Sequence, residues 1–234
     1  MVTQGYARPE LLAETEWLVE HLGDANLRIV DCDSPDAYNR AHIPGAVNVG
    51  TNPNVKAEDG ASAHVMPPDE VAEFMSALGI GDDTLVVTYD GRNSVGSARF
   101  WWVLNYYGHT NVKVLNGGWR KWLAKGRPVT DRASAVERAS FTPRVDESLI
   151  VNADGLKLAT GQEGVAIWDV RSRGEYTGET TRGNKYGGHV PGCAYMEWTD
   201  VMDTAGLATF KPAEDIRQML SEIGVTPDKQ VYTY

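Results

Sequence analysis

Thr84-Leu-Val-Val-Thr-Tyr89 runs into Asp90-Gly-Arg-Asn-Ser-Val-Gly-Ser-Ala-Arg99, and Lys229-Gln-Val-Tyr-Thr-Tyr234 repeats its first half. Each apolar run is short, rich in β-branched and aromatic residues, and reads as a buried parallel strand. At a fixed offset Val87-Thr88-Tyr89 falls on Tyr232-Thr233-Tyr234, so Asp90 is matched by the position after Tyr234. A loop at the carboxyl end of a parallel strand is a favoured seat for a catalytic group. The chemistry of the second copy is therefore expected to begin directly after Tyr234, and that copy reads as a domain cut just before its active-site loop.

Working outward, the repeat extends over most of the chain. Leu27-Arg-Ile-Val-Asp31 matches Val165-Ala-Ile-Trp-Asp169, each an apolar run closed by Asp. Upstream, Leu11, Leu12 and Leu18 fall on Leu149, Ile150 and Leu156. Downstream, Tyr38 and His42-Ile-Pro-Gly45 match Tyr176 and His189-Val-Pro-Gly192 once nine extra residues around Glu179–Gly187 are allowed for. Pro67–Gly79 then matches Pro212–Gly224, both amphipathic helices with acids in the first turn and Gly at the C-cap. Val71, Phe74, Met75 and Leu78 fall on Ile216, Met219, Leu220 and Ile223, an i, i+3, i+4, i+7 stripe expected to pack in the core. The first copy continues through a helix at Ala98–Gly108, a strand at Val112–Leu115 and a closing helix at Trp119–Lys125. Strands alternating with helices predict an α/β fold with mostly parallel sheets. Residues 131–147 are polar and aperiodic and read as a linker, giving domains at 1–130 and 148–234.

With 234 residues, 42% hydrophobic and 23% charged, the composition is that of a globular protein with a real core. A formal charge of -10 argues against nucleic acid or an anionic membrane as partner. The N-terminus lacks the apolar core of a signal peptide and no run is long enough to span a bilayer, so a cytoplasmic location is expected. The two cysteines, Cys32 and Cys193, are too few for a disulfide framework, and no zinc-ligand spacing is present. Neither is followed by a Gly-rich loop and helix, and both read as small packing residues. No metal or cofactor is expected.

Ile29-Val-Asp31 with His42-Ile-Pro-Gly-Ala46, Val86-Val-Thr-Tyr-Asp-Gly91, Phe100-Trp-Trp with Tyr107-Gly-His109, and Val114-Leu-Asn-Gly-Gly-Trp119 form an ordered set. Trp168-Asp-Val-Arg171, Glu175-Tyr-Thr-Gly-Glu179 and Gly188-His-Val-Pro-Gly192 repeat it. Together they resemble the tandem-domain rhodanese family of sulfurtransferases. That resemblance implies two rhodanese-like α/β domains, a non-catalytic first copy with Asp90 in the nucleophile slot, and a nucleophilic Cys directly after Tyr234. Sulfane sulfur would pass from a small anionic donor, thiosulfate or 3-mercaptopyruvate, to Cys and on to a thiophilic acceptor. The competing readings are a non-catalytic rhodanese-like binding module and a phosphatase on the same type of fold. A monomer is expected.

A loop of N–H groups would hold such a thiolate or persulfide. An anionic donor needs cations, and Arg171, Arg173, Arg182 and Lys185 lie between Asp169 and His189, where the first copy has only Arg40. Guanidinium can bind two oxygens at once. By resemblance, Arg171 and Arg182 are the best substrate-binding candidates and Lys185 the next. The bland alternative for each Arg is an exposed loop or an ion pair with Glu175 or Glu179. Asp31 and Asp169 either fix the following loop or shape the electrostatics of the site. Glu175 stands where some family members carry Arg. His42 and His189, occurring in both copies, read as loop structure.

Overall fold

A computed structural model describes residues 5–50 and 65–234. Contacts divide it into two units. The first, Arg8–Glu147 with Ala205–Thr209, holds a sheet of β1 (Leu12–Ala13), β2 (Leu27–Asp31), β3 (Ala46–Asn48), β4 (Leu85–Tyr89) and β5 (Val112–Leu115). Its order is β1-β5-β4-β2-β3, and every pairing is parallel. Successive strand residues face opposite sides, so Val30, Val86 and Val112 enter one buried cluster and Ile29, Val87 and Leu115 the other. Helices α3 (Pro68–Ala77) and α4 (Val95–Tyr106) cover the first face with Met75, Phe100 and Leu104. Helices α1 (Thr15–Glu20), α2 (Pro35–Arg40) and α5 (Gly118–Ala124) cover the second with Leu18, Tyr38 and Trp122.

Residues 131–147 are not a free linker: they are strapped to this first unit. Ala139 N–H donates to Ser76 O at 3.1 Å, Thr142 N–H to Asp82 Oδ1 at 2.7 Å, and Arg144 N–H to Tyr107 O at 2.9 Å. Phe141 is buried in the α3/α4 cluster. A strap docked by backbone hydrogen bonds and one anchor has no side-chain period to betray it. Gly108, at φ +79°, leaves room for it, since a Cβ there would lie 2.9 Å from Arg144 O. Ser76→Ala removes the acceptor of the Phe141 N–H, a 3.3 Å bond in a buried site. The expected cost is about 1 kcal/mol, read as a lower urea midpoint with faster exchange of the Phe141 amide.

The second unit gathers Ser148–Thr204 and Phe210–Tyr234 with the segment ending at Ala7. Its sheet, β6 (Val165–Asp169), β7 (Ala194–Tyr195) and β8 (Gln230–Thr233), has the order β7-β6-β8 and is all parallel. The repeat holds to the level of register: Leu27 pairs with Leu85 and Val165 with Gln230, while Val30 pairs with Val47 and Trp168 with Ala194. Helices α6 (Ala153–Ala159), α7 (Arg173–Thr177) and α8 (Ala213–Glu222) occupy the places of α1, α2 and α3. Leu149 ends a 3-10 turn, Glu147–Leu149, as Leu11 ends Pro9–Leu11, but Ile150, the match of Leu12, does not enter a strand like β1. The α8 stripe, Ile216, Met219, Leu220 and Ile223, is half-buried, where Val71 and Met75 of α3 are fully buried. In the first unit α4 covers that face, and no equivalent helix is among the described residues of the second.

Candidate functional site

The parallel register sets Asp31 beside Tyr89 on neighbouring strands. The Tyr89 hydroxyl donates to Asp31 Oδ2 and accepts the Ile43 N–H at 3.1 Å. The second unit resembles this: the Tyr234 hydroxyl accepts the Val190 N–H at 2.8 Å and neighbours the Asp169 carboxylate. Each strand-end tyrosine thus ties the central strand to the following turn. The histidines complete the motif. His42 Nδ1 donates to Tyr38 O and His189 Nδ1 to Tyr176 O, both at 2.8 Å, with rings stacked at 3.7 and 3.9 Å. Sequence reading missed the tyrosines, whose signal is only their register opposite Asp.

Two residues further on, the copies diverge. In the second unit Arg171 grips Asp169 through Nε at 3.0 Å and Nη2 at 2.6 Å. Its Nη2 also reaches Gly188 O at 2.9 Å, and its guanidinium lies over the Tyr234 ring at 4.8 Å. The partner of Arg171 is therefore Asp169, not Glu175 or Glu179, and much of its fork is engaged within the protein. Burial pushes the Asp169 carboxyl up, but the Arg171 hydrogen bonds and charge outweigh it and leave it below its ordinary value. In the first unit the equivalent residue is Asp33. Burial likewise lifts Asp31, the Tyr89 and Asp33 N–H bonds offset only part of it, and the Asp33 charge adds to it, so Asp31 stands at about 6. Burial dominates at Asp31 and the Arg171 hydrogen bonds dominate at Asp169, so the two strand-end aspartates lie on opposite sides of their ordinary value.

The loop after β4 is filled with carboxylate. Asp90 Oδ1 accepts the N–H groups of Arg92 at 2.7 Å and Ser94 at 3.0 Å, and Oδ2 that of Ser97 at 2.7 Å. Asp33 Oδ2 takes the Gly91 N–H at 2.7 Å. Asn93 and Ser94 both have positive φ, an arrangement that turns consecutive N–H groups inward as an anion nest. In this copy the nest's anion is its own side chain.

The nine-residue insert carries the remaining cations. Gly178, at φ +84°, ends α7, and Thr180 N–H returns to Gly174 O at 3.0 Å. Arg182 pairs with Glu175 Oε2 through Nε at 3.0 Å. Arg182 has φ +46°, a left-handed conformation that costs a non-glycine residue roughly 1 kcal/mol. Glu175 also accepts from the Ser172 hydroxyl and N–H at 2.6 and 3.3 Å, which holds its carboxyl below the ordinary value. Lys185 lies over the Tyr186 ring at 5.2 Å, and Arg173 caps Tyr176 and Tyr195. The insert thus brings Arg182 to Glu175 but places Lys185 on its own exposed turn.

A cavity of about 850 Å³ opens in the first unit beside Cys32, Asp33, Arg92 and Gly96. Burial, then the charges of Asp90, Asp31 and Asp33, push the Cys32 thiol well above its ordinary value, which suppresses the thiolate that sulfur chemistry needs. Cys193 lies 3.4 Å from the Tyr234 hydroxyl and lines a smaller cavity of about 350 Å³. No group of three or more His, Cys, Asp or Glu side chains able to hold a metal is found among the described residues. No helix there is long and apolar enough to cross a membrane.

Residues 14–125 match the rhodanese-like domain. Over 98% of its length the chain is 34% identical to the sulfur carrier protein TtuD of Thermus thermophilus, covering 84% of that protein. It is 31% identical, again over 98% of its length, to a thiosulfate sulfurtransferase of Azotobacter vinelandii, covering 83% of it. Among solved structures, SseA of Escherichia coli, described as a 3-mercaptopyruvate sulfotransferase, superposes with a TM-score of 0.81 at 23% identity, over 95% of this chain and 87% of that one. At that identity the last similarity speaks for the fold.

Proposed function

The chain belongs to the rhodanese family, and from that membership we propose that it is a sulfurtransferase whose second repeat carries the reaction. A cysteine thiolate in the slot after Tyr234, where the first repeat has Asp90, attacks the sulfane sulfur of thiosulfate. The sulfur–sulfur bond breaks, sulfite leaves with the electron pair, and a persulfide remains. A thiophilic acceptor, cyanide or a thiolate, then takes the outer sulfur and releases the thiolate. With 3-mercaptopyruvate as donor, pyruvate leaves in place of sulfite.

The observation that carries this reading is the contrast at the strand ends. The first copy closes its loop with Asp33 and Asp90, while the second offers Arg171 and the cation-bearing insert. An anionic donor is repelled by the first arrangement and accepted by the second. Arg171 is the structural side of this pattern, with much of its fork used on Asp169 and Gly188. Arg182 presents its fork to the donor, and Lys185 adds positive charge nearby. Thiocyanate formation from thiosulfate and cyanide by the full-length protein tests the reading, with a mass gain of about 32 Da that cyanide removes. Absence of both overturns it.

Arg182 supplies a second test. Arg182→Gly relieves the left-handed backbone strain, so the melting temperature is expected to hold or rise. The KM for thiosulfate is expected to rise about tenfold, equivalent to about 1.4 kcal/mol, with kcat little changed. A lower melting temperature with unchanged KM would mean that the Glu175 ion pair is the whole reason for Arg182.

A further inference from the structure

We infer that Glu175 is the positioning residue that aims the guanidinium fork of Arg182 at the donor. This rests on the reading of Arg182 as a donor-binding residue. The helix cap is the obvious job for Glu175, because its Oε2 takes the hydroxyl and N–H of Ser172 in a capping box. A cap alone does not account for the cation paired with that same oxygen, Arg182, whose Nε lies 3.0 Å from it.

The way Arg182 is held is informative. Two other arginines of this chain make forked pairs: Arg138 grips Glu73 through both Nη atoms at 2.8 and 2.6 Å, and Arg171 grips Asp169 through Nε and Nη2. Arg182 comes nearest to Glu175 through Nε, the nitrogen closest to its stem, and among the described residues neither Nη makes a hydrogen bond. The carboxylate is fixed and nearly buried, with a side-chain exposure of 13%, whereas Arg182 is 68% exposed. A rigid acid therefore pins the root of an exposed cation and leaves the fork that binds two oxygens open. Gly178 and the Thr180–Gly174 bond turn the chain back over α7 so that the two meet. The positive φ of Arg182 is tolerated at a position where the next residue is glycine, the kind of outlier that clusters at ligand clamps.

Charge and position pull in opposite directions here, which makes the test decisive. Were Glu175 only a nearby negative charge, removing it would tighten binding of an anion. As a positioning residue, its loss frees the fork and weakens binding. Glu175→Gln keeps an oxygen for the Ser172 cap and removes the charge that grips Arg182. In the full-length protein the KM for thiosulfate is expected to rise three- to tenfold, with kcat within twofold and an unchanged melting temperature. In an Arg182→Gly background the same substitution is expected to leave KM alone. The Arg182 Nε–H resonance, shifted and protected in the parent protein, is expected to collapse to that of a free arginine in Glu175→Gln. A KM that stays or falls in Glu175→Gln, or rises equally without Arg182, overturns the inference alone. A KM indifferent to Arg182→Gly overturns the donor role of Arg182 and this inference with it, even where the Nε–H resonance shows the tether intact.

Discussion

Replacing Asp169 with asparagine is expected to destabilise the second unit by about 2–3 kcal/mol. Asp169 is fully buried, and its two oxygens receive Nε and Nη2 of Arg171 in addition to the Arg171 N–H at 3.0 Å. Removing one member of a buried pair leaves the other desolvated without compensation, a loss of roughly 3–5 kcal/mol when both are sealed. Arg171 retains 26% exposure, so part of its charge can be rehydrated and the figure is reduced. The Tyr234 hydroxyl loses its charged neighbour in the same step. The consequence should be local: faster hydrogen exchange across β6 and β8, with β2 and β4 unaffected. Arg171→Met in the same molecule should recover part of the loss, because it removes the stranded cation. A cost below 0.5 kcal/mol would mean that Arg171 swings into solvent freely and that Asp169 does not hold it.

The repeat was legible because its signals are local. Apolar runs closed by Asp, the His-x-Pro-Gly turns and the helix stripes each state their structure within a few residues, and the matching offsets then set the strand register. What could not be read depends on the path of the chain between such signals. Arg171 and Asp169 are two residues apart, a spacing that brings side chains together only where the strand breaks into a turn, so the pairing was assigned to Glu175 or Glu179. The 131–147 strap binds through main-chain groups and Phe141, so its polar sequence resembles a linker. Ala205–Thr209 belongs with the first unit, where Arg120 donates to Gly206 O at 3.2 Å, and nothing in those five residues announces it. At the site, residue types pointed to the cations, while their availability followed from geometry: Arg171 is largely spent, Arg182 is held by its root, and Lys185 stands apart.

Asparagine at Asp31 is expected to act in the opposite direction to asparagine at Asp169, and with a sign that reverses with pH. The native Asp31 carboxyl titrates at about 6, above an ordinary value near 4, so the folded state holds a proton that the unfolded chain releases between about pH 4 and 6. The stabilisation from that proton is full below pH 4 and is lost as pH rises through 6. At pH 7.5 the buried charge therefore weighs against the fold by roughly 2–3 kcal/mol. Asparagine removes the charge but gives up a hydrogen-bond acceptor, costing about 1 kcal/mol. The Asp31→Asn protein should be more stable than the parent by about 1–2 kcal/mol at pH 7.5, and less stable by about 1 kcal/mol at pH 4. Other groups titrate in the same window. Asp33, also raised by burial, adds to the trend, whereas buried His109, its pKa lowered by desolvation, favours unfolding as pH falls below 6.5. Both persist in the variant, so the difference between the two urea curves isolates Asp31. A difference of one sign at both pH values would show that the native carboxyl is not held up. A crossing, with the Asp169→Asn penalty unchanged between the same two pH values, would establish that the two equivalent aspartates behave in opposite ways, one held up by burial and the other held down by Arg171.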